Sequence, residues 1–240
     1  MHARLTLEET PLFADPSGAL YWPARRTLVV ADLHLEKGSA FAARRTLLPP
    51  YDSAASLAKL QGLIRKFTPA RIVCLGDSFH DIRAEARMAA NDAALLKRLV
   101  AAHDWVWVVG NHDPAIPPAF GGRVLSEVVE DKLALRHEPA APSGLAPGEI
   151  VGHFHPKAAV STQAGRIAAP CFALDGRRMV LPAFGAYAGG LDVLDPAIAR
   201  LFGRARFRVL MLGGERLHLF GRERLLPFAA HPDTAKKSNR

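Results

Sequence analysis

The sequence predicts an α/β layer architecture, and three observations carry that prediction. Short apolar runs recur at Thr27–Ala31, Arg71–Leu75, Trp105–Val109, Asp131–Arg136 and Glu149–Val151, each reading as a strand buried on both faces or nearly so. Amphipathic stretches with helical spacing separate the first three. After Val124 the texture changes to short alternating segments broken by Gly and Pro, the pattern of an antiparallel sheet. Strand-helix-strand order in the first half therefore implies helices layered on a sheet, with more strands to follow.

Taken in order, Thr27–Ala31 ends in Asp32-Leu33-His34. From Ser53 to Phe67, Ala, Leu and Ile fall at helical spacing behind a cap at Ser53, and Thr68-Pro69 ends the helix. Arg71–Leu75 ends in Gly76-Asp77. Ala84 to His103 reads as a second helix. In Trp105–Val109 the two tryptophans alternate with valines, which is core packing rather than a stacking platform for bases. The later strands are expected at Val124–Val129, Ala158–Ser161, Cys171–Leu174, Arg178–Leu181, Arg206–Leu212 and Arg216–Phe220. The last two form a hairpin turning at Gly213-Gly214. Glu138 to Gly148, rich in Pro and Gly, is a loop. With no repeat and no low-complexity linker, one domain over residues 1–228 is expected, followed by a frayed polar tail, 229–240.

The 240 residues are 49% hydrophobic and 22% charged, enough apolar material for a core and too much for a disordered chain. There is no apolar run of membrane-spanning length, and acids stand in the opening segment where a secretion signal would be apolar, so a cytoplasmic location is expected. Cys74 and Cys171 have no metal-site or disulfide spacing and read as small buried residues. Lys and Arg number 31 against 23 Asp and Glu, a net charge of +8. Such a surface attracts polyanions such as nucleic acid, although solubility alone also accounts for it. The excess is concentrated in the last fifth of the chain. There Arg204, Arg206 and Arg208 share a parity and would project from one strand face, either to extend a phosphate-binding surface or as a solvated outer face.

Five polar clusters follow or close the five buried runs: Asp32-Leu33-His34, Gly76-Asp77, Gly110-Asn111-His112-Asp113, His137, and Gly152-His153-Phe154-His155. In an open α/β sheet the carboxyl ends of strands converge on one crevice, so residues far apart in sequence meet there. Oxygen and imidazole donors without a thiolate suit Mn, Fe or Zn. In an extended Asp-x-His, alternate residues point the same way, so Asp32 and His34 can chelate one ion. His153 and His155 repeat the device, and a bend there would let each reach a different ion. Gly76, Gly110 and Gly152 remove side chains where the backbone turns and where substrate comes close.

Together these motifs resemble the calcineurin-like metallophosphoesterases, whose signatures are Asp-x-His, Gly-Asp-x-x, Gly-Asn-His-Asp/Glu, a lone His and Gly-His-x-His. Within that superfamily the chain is most similar to the ligase-associated DNA damage response endonuclease group. This likeness rests on Ala31-Asp32-Leu33-His34-Leu35-Glu36-Lys37-Gly38, Leu48-Pro49-Pro50-Tyr51-Asp52, Gly76-Asp77-Ser78-Phe79-His80-Asp81, Gly152-His153-Phe154-His155-Pro156 and Leu181-Pro182-Ala183-Phe184-Gly185.

The resemblance implies a four-layer α/β sandwich, two mixed β-sheets flanked by helices, with two divalent metal ions, Mn foremost and Fe or Zn as alternatives. Asp32, His34 and His155 would hold one ion, Asn111, His137 and His153 the other, and Asp77 would bridge them. His112 would protonate the leaving oxygen while Asp113 orients its ring, and the metals would activate a water as the attacking hydroxide. Where related protein phosphatases read Gly-Asp-x-x-Asp-Arg-Gly, His80 replaces the second Asp, which argues against that activity. His80 is either a contact to ligands or substrate or an ordinary loop residue. Arg44 and Arg45 either grip a phosphate or form a solvated face. The expected function is a metal-dependent phosphodiesterase on nucleic acid, a DNA repair endonuclease with DNA ligase or helicase partners. The rivals are the same chemistry on small nucleotides, and a basic scaffold that kept the fold but lost turnover. Such a scaffold would lack a ligand, and none is missing.

Overall fold

The computed structural model describes residues 2–46, 48–49, 51–140, 148–163, 165–203 and 207–228. The chain opens on an antiparallel meander that the sequence does not announce: β1 (Ala3–Leu7), β2 (Thr10–Ala14) and β3 (Leu20–Trp22). Its first turn is Glu8-Glu9, both at positive φ (44° and 64°), where Asn-Gly is the usual signal. Next come β4 (Thr27–Ala31), α1 (Lys37–Ala43), α2 (Asp52–Phe67) and β5 (Arg71–Leu75). After them follow α3 (Ala84–Arg87), α4 (Ala90–Ala101), β6 (Asp104–Val108) and β7 (Arg123–Leu125). Among the described residues these strands form a seven-stranded sheet in chain order, antiparallel up to β4 and parallel from β4 to β7.

The second sheet contains β8 (Glu127–Glu130), β9 (Leu133–Arg136), β10 (Gly148–Val151), β11 (Lys157–Thr162), β12 (Gly165–Leu174) and β13 (Arg178–Val180). Beyond α5 (Pro196–Ala199), β14 (Arg208–Gly213), β15 (Arg216–Gly221) and β16 (Leu225–Leu226) complete it. Its order is β15-β14-β12-β13-β10-β9-β8, with β11 joining β12 to β16. Because β10 runs parallel to both β9 and β13, the sheet is mixed, not wholly antiparallel as its alternation predicts.

Packing explains why the central strands read as continuous apolar runs. Leu28, Val30, Ile72, Cys74, Trp105 and Trp107 face α2 and α4, while Val29, Val73, Val106 and Val108 face Leu135, Ile150 and Phe172 of the second sheet. On that sheet's far side Val180, Val209 and Met211 pack against Ile198 and Phe202. The result is helices, sheet, sheet, helix: two mixed sheets in a four-layer sandwich, as the motifs imply. All three tryptophans and both cysteines are buried in these layers.

Four sequence expectations shift in detail. Ser53 lies inside α2 instead of capping it, and its hydroxyl accepts the Glu36 amide and donates to the Glu36 carboxylate. The helix expected over Ala84–His103 breaks at Met88-Ala89, because Met88 turns extended into the core and Asn91 and Asp92 suit the first turn of a new helix. Val124–Val129 divides at Ser126, where the chain passes from the first sheet to the second. The β14–β15 hairpin pairs Gly213 with Arg216, so its turn is Gly214-Glu215, one residue beyond Gly213-Gly214. Gly214 takes φ 75° there.

Of the arginine row, Arg204 and Arg206 lie outside the described residues, as do residues 229–240. Arg208 is exposed at the start of β14. Three strands separate β15 from β10 in the sheet order. At about 4.8 Å per strand the hairpin stands roughly 19 Å from β10. Among the described residues no helix is long and apolar enough to cross a membrane.

Candidate metal centre

The carboxyl ends of β4, β5, β6, β9 and β10 converge and bring together all seven side chains singled out as ligands. One group joins Asp32, His34 and His155, with His34 Nε2 3.2 Å from His155 Nε2 and His155 Nε2 3.4 Å from Asp32 Oδ1. A second joins Asp77, His137 and His153. Asn111 completes it, its Oδ1 lying 3.0 Å from His137 Nε2 and 2.9 Å from His153 Nδ1. Asp77 stands between the groups, with Oδ1 3.4 Å from His137 Nε2 and Oδ2 3.9 Å from His34 Nε2.

Strand alternation does not produce this geometry. Asp32, His34, Asp77, His153 and His155 all sit at positive φ, between 45° and 69°, a region non-glycine residues rarely adopt. The loops after β4 and β5 run side by side in these kinks, held by His34 N–H to the Asp77 carbonyl (2.8 Å) and Leu35 N–H to the Ser78 carbonyl (2.9 Å). The kinks after β10 send His153 to one group and His155 to the other.

The donors suit a divalent cation. His137 Nδ1 lies 2.9 Å from the Leu75 carbonyl, which fixes the proton on that nitrogen. The lone pair on Nε2 then faces the Asp77 carboxylate and Asn111 Oδ1, acceptors with no proton between them. Asp32 and Asp77 are buried, and among the described residues neither pairs with a Lys or Arg. Burial, reinforced by the neighbouring His155, lowers His34 to about 2, and burial lowers His153 as well. These rings are therefore neutral and free to donate lone pairs.

Asp113 does something other than orient His112. One oxygen accepts the amides of Asp77 (2.9 Å) and Gly110 (3.0 Å), and the other those of Ser78 (2.7 Å) and Phe79 (3.1 Å). The His112 ring is held instead by the His80 carbonyl, 3.0 Å from Nδ1. Burial pushes the Asp113 carboxyl up to about 6 against these amides, with the Asp77 charge adding to the rise.

All three motif glycines make room for proposed ligands rather than for substrate, and a Cβ at Gly76 would lie 2.4 Å from the His137 ring. A Cβ at Gly110 would lie 2.3 Å from Asp77 Oδ1, and one at Gly152 would lie 2.7 Å from Asp32 Oδ2.

The remaining motif residues brace these loops. Glu36 accepts the hydroxyls of Ser39 and Ser53 (2.7 Å each), and Asp52 accepts the Gly38 amide at 2.9 Å, which docks the start of α1, with Lys37, onto α2. Phe184 and Gly185 donate to the carbonyls of Ala31 (2.8 Å) and Asp32 (3.1 Å), so the Leu181–Gly185 segment backs the first aspartate. Lys59 Nζ in turn donates to the Phe184 carbonyl at 2.7 Å.

Beside the centre a cavity of ≈ 450 Å³ is lined by Lys37, Phe41, Arg44, His80, Ile82 and His112 among others. Arg44 and His80 thus reach the site, and the His80 ring stacks on His112 with centroids 5.3 Å apart. Arg45, exposed at the end of α1, does not line this cavity. Lys37, Phe41 and Ile82 escaped the sequence reading. Lys37 had a signal, its place directly after the Asp-x-His-x-Glu stretch, whereas Phe41 and Ile82 had none.

A family model for the calcineurin-like phosphoesterases matches residues 25–157, more than half of the chain. The chain belongs to the calcineurin-like phosphoesterase family. A crystal structure of the Pseudomonas putida nuclease MPE resembles it with a TM-score of 0.69 and 27% identity, covering 92% of this chain and 100% of that one. Yfce, a phosphoesterase from E. coli, matches at a TM-score of 0.41 and 14% identity, covering 81% of this chain and 97% of its own. No curated protein matches the chain. As a calcineurin-like phosphoesterase the protein is a metal-dependent enzyme of phosphoester hydrolysis, from a family that uses a dinuclear metal centre, and its two His/Asp groups could bind metal.

If Asp113 anchors the loops, Asp113→Asn places an amide against two backbone N–H donors and costs at least about 1–3 kcal/mol. Chemical denaturation should show that loss, and metal content should fall with it. Unchanged stability and metal content, with an altered dependence of rate on the leaving group, would point back to a ring-orienting role.

Proposed function

We propose that this phosphoesterase is a metal-dependent phosphodiesterase that cuts nucleic acid, a DNA repair endonuclease of the cytoplasm with one catalytic domain over residues 1–228. The observation that carries the reading is the likeness to the Pseudomonas putida nuclease, which spans nearly the whole of both chains. The +8 charge and the cationic cavity beside His112 support it. DNA ligase and helicase are the partners it implies.

In this reading Asp32, His34 and His155 would hold one ion, Asn111, His137 and His153 the other, and Asp77 would serve both. Manganese is the proposed metal. Two bound metal ions would supply Lewis-acid charge for the phosphoryl oxygens and an activated water for in-line displacement. His112 delivers a proton to the leaving oxygen: its side chain is 42% exposed, and the His80 carbonyl on Nδ1 leaves Nε2 turned toward substrate. His80 and Arg44 contact the substrate from the cavity wall.

Protein reconstituted with Mn should contain close to two ions per chain by elemental analysis. Asp77→Asn should lose more metal than a substitution of His34 or His153, because it alone serves both groups. One ion or none in the wild type, unaffected by Asp77→Asn, would contradict the assignment.

His112→Gln should keep its metal yet lose about a hundred- to ten-thousand-fold in turnover on DNA, and less on bis(p-nitrophenyl) phosphate, whose leaving group is acidic enough to depart unaided. Equal losses on the two substrates would remove the acid role.

The substrate itself is tested with Mn-loaded protein on circular single-stranded and duplex DNA. Nicking or linearisation of a circle is expected. Hydrolysis of cyclic or small nucleotides with both circles left intact would favour the small-molecule reading.

A further inference from the structure

Among the described residues two cavities flank the centre, and they differ in charge. The one beside His112 carries Lys37 and Arg44, neither of which forms an ion pair among the described residues. Its acid, Asp81, is occupied by the Arg87 guanidinium and the Arg83 amide, both at 2.8 Å. Ile82, 74% exposed, and Phe41 add an apolar surface next to these cations. The opposite cavity, ≈ 350 Å³, is lined by Glu127, Glu138, Arg136 and His137 among others. There Arg136 is shared between Glu127 and Glu149, so acids outnumber the cation. Asn111 lines both cavities, so they meet at the metal centre.

We infer that the cavity formed by Lys37, Arg44, Phe41 and Ile82 is the subsite for the departing strand, taking its next phosphate on the two cations and its base on the apolar pair. The acidic cavity opposite faces the retained strand and disfavours a phosphate there. This rests on the nucleic-acid reading with His112 as the acid, because His112 lines the cationic cavity and so sets the leaving side. A phosphate and a base adjoin in every nucleotide, as a cation pair and an apolar wall adjoin here. An opposite charge on the far side gives the groove a direction, since a polyanion binds better with its additional phosphate on the cationic side.

The test uses thymidylyl-thymidine bearing one extra phosphate, at its 5′ end in one substrate and its 3′ end in the other. One of the two should be cleaved with a kcat/KM about tenfold higher, the effect of about one charge-assisted contact. Arg44→Gln should erase the difference, while Arg98→Gln, an equal charge change at an exposed position of α4, should preserve it. A second readout is binding of fluorescent hexathymidylate in chelator. There Arg44→Gln should lower the slope of log affinity against log salt by about 0.7, and Arg98→Gln should leave it unaltered. Equal cleavage of the two end-phosphorylated substrates, or matching behaviour of Arg44→Gln and Arg98→Gln, overturns the subsite alone. Wild-type protein that hydrolyses bis(p-nitrophenyl) phosphate but neither binds nor cuts DNA overturns the nucleic-acid reading and the subsite with it.

Discussion

Four amide hydrogens meet on the Asp113 carboxylate, those of Asp77 and Gly110 on one oxygen and those of Ser78 and Phe79 on the other. These bonds tie the loop after β5 to the loop after β6, and so fix Asp77 relative to Asn111 and His112. Asp77 then accepts the His112 amide at 2.9 Å, which closes the connection. Hydrogen bonds to a charged group are worth about 1.5–3 kcal/mol each, so the cluster can hold strained loops that apolar packing alone would not order. Its weakness is that Asp113 and Asp77 are buried anions side by side, each raising the cost of the other. Cations at the centre remove that repulsion, so metal binding and the stability of these loops are coupled.

Strain is the other half of the design. Five of the seven proposed ligands occupy the left-handed region, at about 1–3 kcal/mol apiece. Loops in that state persist only if their ends cannot move. Here the ends are β4, fully buried, and β5, buried beyond Arg71, both clamped between the helices and the second sheet, and the buried β10 inside that second sheet. Cross-links between loops do the rest, from Phe184 and Gly185 onto the β4 loop and from Gly152 onto the His137 carbonyl (3.1 Å). The sandwich thus serves as a rigid frame for an otherwise unfavourable backbone.

This division explains what could be read in advance. Strands β4 and β5 were legible to the residue because parallel strands buried on both faces are apolar beyond their first residue, whereas the β1–β2 hairpin lacked both a continuous run and a glycine turn. The set of side chains that meets at the centre was legible because metal chemistry restricts residue types and because strand ends converge. How the ligands converge was not: Asp-x-His suggests an extended pair, but the observed pair reaches one cluster through two left-handed residues. Asp113 misled for a related reason. An acid next to a catalytic histidine in sequence suggests a dyad, yet a kinked loop turns the neighbours apart, and the acid is consumed by backbone amides that no sequence pattern displays.

The exposures within the centre bear on what kind of substrate it admits. Asp32 and Asp77 have 0% and 3% of their side chains exposed, His112 42% and His153 32%. The two carboxylates are therefore sunk while His112 and His153 stand at the rim, and the centre opens on two sides through the flanking cavities. A centre built for a small nucleotide gains specificity by enclosing it, since burying most of a ligand's surface is how small molecules are held. An open groove gives up that area and must recover affinity from contacts beyond the scissile group, which only a substrate extending past both sides can supply. On the proposed nucleic-acid reading, Lys37 and Arg44 would supply such contacts on one side, while Glu127 and Glu138 on the other would repel phosphate and so favour one direction of a strand without reading its sequence.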